Sequence, residues 1–200
     1  MATKPATSQI PVHSLTTATR KNAVRGIKNL LQQIGENPKR EGLLKTPERV
    51  VKAFEEMTQG YKLDPAQILS TTFDETSDEM VMVRDIEFVS LCEHHLLPFT
   101  GKATVAYLPR TRVVGLSKLA RLVDCFSQRL QVQERLTSQI TGAIMQHLRP
   151  LGAGCLIEAH HQCMSCRGVR KANATMITSS LVGTFREDVA VRTEFLMLAK

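Results

Sequence analysis

Apolar residues recur along this chain at two periods, and the change between them separates helical from extended stretches. Val24, Ile27, Leu30, Leu31 and Ile34 fall three and four apart, the spacing of one helix face, and Gly35 ends the pattern. Residues 37–45 read as a charged loop. Thr46-Pro47 opens a second helix, with Thr46 as N-cap and Pro47 in the first helical position. Val50, Phe54 and Met57 form its buried stripe, and Gly60 stops it. Asp64-Pro65 starts a further short turn of helix. Residues 80–91 are β-branched and apolar with mixed alternation and predict a strand, followed by a loop from Cys92 to Phe99. Ala103, Val105 and Tyr107 then alternate with Thr104, Ala106 and Leu108, and Pro109-Arg110 makes a turn. Val113-Val114 is a short strand. Ser117 caps a helix carrying Leu119, Leu122, Val123 and Phe126, and a further helix carries Leu136, Ile140, Ile144 and Leu148. Residues 150–154 break it; 155–163 and 174–181 read as strands, and 188–198 as a closing helix.

Helices, two strands, two helices, two strands and a helix argue for an α+β fold with antiparallel pairs. Residues 1–18, aperiodic and rich in Thr, Ser, Ala and Pro, read as a flexible arm, and 19–200 as one domain that includes the N-terminal helices. At 42% apolar residues there is enough for a packed core, and 11 Gly with 8 Pro exclude a collagen-like or wholly disordered chain. No run approaches a membrane span, and no apolar segment follows a basic start, so neither membrane insertion nor a signal peptide is expected. Twenty-six Lys and Arg against 19 Asp and Glu leave a charge of +7, which suits a nucleic acid, an anionic membrane or a small polyanion. No Trp and two Tyr leave few stacking platforms for a single strand, which ranks nucleic acid below a small polyanion. Five cysteines, an odd number, favour a reduced, cytoplasmic setting over a disulfide framework.

The cysteines sit beside histidines. Cys92 and His95 are three apart in Cys92-Glu93-His94-His95, so a thiolate and an imidazole can face one point while His94 faces elsewhere. In His160-His161-Gln162-Cys163, strand alternation puts His161 and Cys163 on the face of Ile157 and Ala159, with His160 opposite. Cys92, His95 and Cys163 then form a three-donor set, the catalytic arrangement of zinc, with His94 and His161 left as proton carriers. Each residue alone also reads as core or hydrogen-bonded filler. Cys163 and Cys166 form a Cys-x-x-Cys pair, which leaves open a redox couple or a closed, four-donor structural zinc site.

Ser117, Lys118 and Arg121 open a helix with cations where the helix dipole is already positive, which invites an anion or marks a solvated charged face. Arg167 and Lys171 add charge to the same mouth. Glu134 suits a guanine edge, accepting from N1–H and the exocyclic amine, and equally suits a helix-start acid.

These stretches resemble GTP cyclohydrolase I. The resemblance rests on Cys92-Glu93-His94-His95, residues 101–109, Gly115-Leu116-Ser117-Lys118-Leu119, Gln133-Glu134-Arg135-Leu136-Thr137, His161-Gln162-Cys163-Met164 with Arg167-Gly168, Thr46-Pro47-Glu48-Arg49 and Gly183-Thr184-Phe185-Arg186. It runs from about residue 20 to 200. It implies a tunnelling fold, in which antiparallel strands flank two helices and subunit sheets close a barrel, and a homodecamer of two pentameric rings with sites between subunits. It implies conversion of GTP and water to formate and 7,8-dihydroneopterin triphosphate, the entry to tetrahydrofolate or biopterin synthesis. In that pattern Cys92, His95 and Cys163 hold Zn2+, and His94 and His161 are the acid–base histidines. Gln133 and Glu134 hold the guanine and Ser117 lies by the ribose. Lys118, Arg121 and Arg167 hold the triphosphate, with Arg49 reaching in from a neighbouring subunit.

Overall fold

The computed structural model describes residues 17–75 and 77–200. Positions 1–16 of the expected arm lie outside the described residues, and positions 17 and 18 already belong to the first helix. The chain divides into two compact units, one ending at Glu56 and one running from Met57 to Lys200. The first holds α1 (Thr17–Gln33), a 3-10 turn (Glu41–Leu43) and most of α2 (Thr46–Met57). α1 ends as its sequence predicts. Gly35 takes φ +89°, and the Gly35 and Glu36 N–H groups donate to the carbonyls of Gln32 (3.0 Å) and Leu31 (2.9 Å). A left-handed glycine with these two bonds satisfies helix-end carbonyls. Arg20 pairs with Glu55 at 3.1 Å, tying α1 to α2. Thr46 is not the cap of α2 but lies inside its first turn, where its hydroxyl donates back to the Gly42 carbonyl. The buried residues of α2 are Pro47 and Val51, while Val50, Phe54 and Met57 are half-buried.

The second unit begins with a 3-10 turn (Gln59–Lys62) and α3 (Pro65–Ile68), capped by Asp64, whose carboxylate accepts from the Ala66 N–H at 2.9 Å. Gly60 is required there by close approach, since a Cβ would stand 2.4 Å from the Cys125 carbonyl oxygen. β1 (Thr72–Phe73), β2 (Val81–Cys92), β3 (Pro98–Leu108), β4 (Val113–Val114), α4 (Leu116–Ser127), β5 (Leu130–Gln131), α5 (Gln133–Leu148), β6 (Gly152–His161), α6 (Gln162–Ser165), β7 (Met176–Gly183), α7 (Thr184–Glu187) and α8 (Val189–Leu198) follow in order. Five strands form one sheet in the order β5-β2-β3-β6-β7, and β1 pairs with β4 separately. The four long strands are antiparallel, as expected; β5 adds a short parallel contact, Leu91 to Leu130 and Cys92 to Gln131.

The sheet carries a core on each face. Ala103, Val105 and Tyr107 of β3 join Leu119, Leu122, Val123 and Phe126 of α4 and Leu136, Ile140 and Ile144 of α5 in the main core. Ala106, of opposite parity on β3, joins Phe185 and Phe195 from α7 and α8 in a second cluster. Helices on both faces explain why residues 103–107 are all buried and why their alternation is weak. The Tyr107 hydroxyl, fully buried, accepts from the Val114 N–H at 2.9 Å and ties β3 to β4 just before α4. α4 starts after Gly115, and Ser117, expected as its cap, lies within the first turn.

Candidate active site and metal centre

The site lies at the end of the sheet where β2 stops. The Cys92 N–H donates to the Leu97 carbonyl (2.9 Å) and the Leu96 N–H to the Cys92 carbonyl (2.8 Å), with Leu96 at φ +55°. This tight turn returns the chain to β3 at Pro98 and holds the Cys92–His95 segment in place. Phe99 is in register with His161, so the end of β6 arrives at the same place. β6 stops at His161, and Cys163 sits on α6 rather than on the predicted strand. Strand alternation is thus not what pairs Cys163 with the site; the helical turn after the strand delivers it.

The donor atoms of Cys92, His95 and Cys163 all lie within 4.8 Å of one another, with Cys92 Sγ 3.8 Å from His95 Nδ1. Cys92 is buried, Cys163 half-buried and His95 exposed. Burial and the neighbouring Cys92 sulfur push the Cys163 thiol above its usual range, while the Arg167 guanidinium opposes them. A thiol held above its usual range gains from a cation beside it, and two thiolates with an imidazole suit a borderline-soft divalent metal. Cys166 stands outside the group, its sulfur 2.9 Å from the Gln162 carbonyl oxygen. The set has three donors, which speaks against the closed four-donor alternative.

His161 is the most constrained group beside the triad. Its ring stacks on Phe99, with centroids 4.5 Å apart and 5° between planes. Its Nε2 lies 2.8 Å from Gln133 Oε1. Gln133, 1% exposed, directs its amide nitrogen at the carbonyls of Ile157 (3.1 Å) and Met176 (3.0 Å) and at the Thr178 hydroxyl (3.2 Å). Three acceptors fix which end of the amide is nitrogen. Gln133 Oε1 therefore accepts, and His161 Nε2 carries the proton. Burial lowers the His161 pKa, and the Glu134 carboxylate opposes this. Gln133, expected to hold the guanine, has its side chain committed to this support.

The other expected residues fall into three places. His94 and Glu134 are exposed at the metal end, His94 with Nδ1 3.9 Å from Cys92 Sγ and Glu134 in the first turn of α5. Arg167 is also there, its guanidinium 3.4 Å from His95 Nε2. Ser117, Lys118 and Arg121 are not. They open α4 at the opposite end of the sheet, beside Tyr107 and Val114, and α4 needs its whole length, ~18 Å, to reach the metal end. Arg49 belongs to the first unit, where it lines a hollow of about 370 Å³ with Arg20, Leu44, Lys45, Glu48 and Lys52. The sequence reading missed the Phe99 stack and an ion pair between Glu93 and Arg135, because pairings across 42 or more residues leave no periodic trace.

An antiparallel α+β unit with a cysteine–histidine triad able to hold a metal, beside an aligned histidine, is the arrangement of a metal-dependent enzyme. The family profile of GTP cyclohydrolase I matches residues 23–200, across both compact units. GTP cyclohydrolase 1 of Campylobacter lari is 57% identical over 87% of this chain and 92% of its own length. That of a Synechococcus strain is 57% identical over 88% and 78%, and that of Homo sapiens 51% over 90% and 72%. The chain belongs to the GTP cyclohydrolase I family. A more distant likeness among solved structures is the archaeosine synthase QueF-Like in its apo form, 15% identical, with a TM-score of 0.45 over 54% of this chain and 97% of that one.

Proposed function

We propose that the protein converts GTP and water to formate and 7,8-dihydroneopterin triphosphate, the first step of tetrahydrofolate or pterin synthesis, at a zinc ion held by Cys92, His95 and Cys163. The observation that carries this reading is the three-donor triad beside a histidine of fixed tautomer, in a chain of this family. Zinc held by this donor set would supply Lewis acidity, lowering the pKa of water so that a hydroxide nucleophile is available near neutral pH.

The chain's own residues supply the rest. Gln133 keeps the His161 Nε2 proton in place, so His161 exchanges protons with the substrate through Nδ1. Its lowered pKa keeps the ring neutral and ready to accept. His94, exposed beside the triad, is the second proton carrier. Glu134 accepts from guanine N1–H and the exocyclic amine, fixing the base. Arg167 meets the triphosphate from the metal end.

Ser117, Lys118 and Arg121 serve the ribose and triphosphate of a site on another copy, and Arg49 does the same from its own helix. The distance between α4's start and the triad supports this reading. The sheet edges support assembly: among the described residues β7 has no partner on its outer side, and β5 covers β2 only at Leu91 and Cys92. Subunits joined along these edges close a barrel, the tunnelling fold, in a decamer of two pentameric rings. No described helix is long and apolar enough to cross a membrane, and the five cysteines are free.

The test is to incubate zinc-loaded protein with GTP and follow formate together with neopterin fluorescence after oxidation. Both are expected, in equal amounts. GTP binding without either product would overturn the enzyme reading and leave a nucleotide-binding protein.

A further inference from the structure

Glu93 is the residue between the metal donor Cys92 and the two histidines, and Arg135 directly follows Glu134 on α5. Their side chains form a fork across the site. Arg135 donates through one terminal nitrogen to Glu93 Oε2 at 2.5 Å and through the other to Oε1 at 3.0 Å. Glu93 Oε1 also lies 4.0 Å from His94 Nε2. The Glu93 backbone is held on the same side, its N–H donating to the Gln131 carbonyl at 3.0 Å.

The groups that must act together come from two separate pieces of chain. Cys92, His94 and His95 ride on the turn after β2, whereas Glu134, and Gln133 behind His161, ride on the first turn of α5. Within each piece, backbone hydrogen bonds fix the geometry. Between the two pieces, the Glu93 N–H bond to the Gln131 carbonyl ties backbone to backbone and the planar two-bond fork ties side chain to side chain, and a bidentate pair sets orientation as well as distance. With side chains 31% and 45% exposed, the pair adds little to folding stability. Its worth lies in alignment, where small misplacements cost large factors in rate.

We propose that Glu93 and Arg135 are positioning residues that brace the metal-binding turn against the base-reading helix. This rests on the function proposed above. The test is a double-mutant cycle of Glu93→Gln, Arg135→Gln and the pair, reading kcat and KM for GTP, zinc content, and the rate at which a chelator removes zinc. Each single variant is expected to lose about tenfold in kcat with KM changed less than about threefold, and to keep one zinc per chain while releasing it severalfold faster. The double variant is expected to lose no more than either single one, because the same tie is already broken. Losses that multiply in the double variant, or singles matching the parent in both kcat and zinc release, would overturn the brace. If the parent forms no pterin, the enzyme reading fails, and the zinc-release cycle still decides the brace.

Discussion

Two helices packed side by side against the same sheet begin in opposite chemical styles. α5 starts at the triad's end of the sheet: Gln133 is buried behind His161, and Glu134 is exposed beside it. α4 starts at the far end, beside Tyr107 and Val114, with Ser117 and Arg121 exposed, Lys118 half-buried and no side-chain cap. Cations in a first helical turn oppose the helix dipole, so α4 carries a local electrostatic cost that a bound anion would relieve. One helix start lies beside the triad of its own chain. The other lies a helix length away from it and, in the function proposed above, serves a site on another copy.

The largest effect should come from the metal triad. Cys163→Ala is expected to empty the metal site and lower GTP turnover by ~10³-fold or more. Cys166→Ala should keep the metal, because its sulfur rests on the Gln162 carbonyl and not in the triad. Metal analysis of both variants decides this, and equal loss would mean a closed four-donor site. Next in size is Glu134→Gln at the start of α5. An amide offers only one acceptor to two guanine donors, leaving a buried polar group unpaired at roughly 1–3 kcal/mol, up to about a hundredfold in kcat/KM, with metal content unchanged.

Lys118→Ala at the start of α4 should be milder and different in kind. It is expected to weaken GTP binding about tenfold or less, to flatten its salt dependence and to leave guanosine binding alone. Equal weakening of both ligands would show that Lys118 does not meet phosphate. Smallest for catalysis, Tyr107→Phe removes the acceptor for the buried Val114 N–H. It should cost about 1–3 kcal/mol of stability in denaturant unfolding while metal content and the Glu134-dependent step stay intact.

Periodicity carried most of the architecture, because the stripes at Leu119, Leu122, Val123 and Phe126 and at Leu136, Ile140 and Ile144 are the core faces of α4 and α5. That Cys92, His95 and Cys163 meet is also legible, since short spacings and residue type limit what can meet at one point. What failed was local geometry. Alternation puts Cys163 on a strand that in fact ends two residues earlier. Thr46 and Ser117 have the residue type of caps, yet each sits inside its helix, with Gly115 opening α4. Gln133 is assigned to the guanine by the resemblance alone. The partners of its amide nitrogen, the carbonyls of Ile157 and Met176 and the Thr178 hydroxyl, come from strands 24 to 45 residues away. Such long-range partners are set by the packing of α5 on β6 and β7, and no local pattern encodes them.

The most direct test of a site built from two helix starts in two copies is to mix the variants that damage each start. Glu134→Gln and Lys118→Ala chains would be co-expressed in equal amounts, and the purified mixed assemblies assayed at low GTP against each pure variant. Sites shared between copies would include some with an intact α5 start from one chain and an intact α4 start from another. Activity should then rise above both variants, towards roughly a quarter of the parent's for random assembly. If each chain forms its site alone, no intact site can arise, and activity would stay at the average of the two variants.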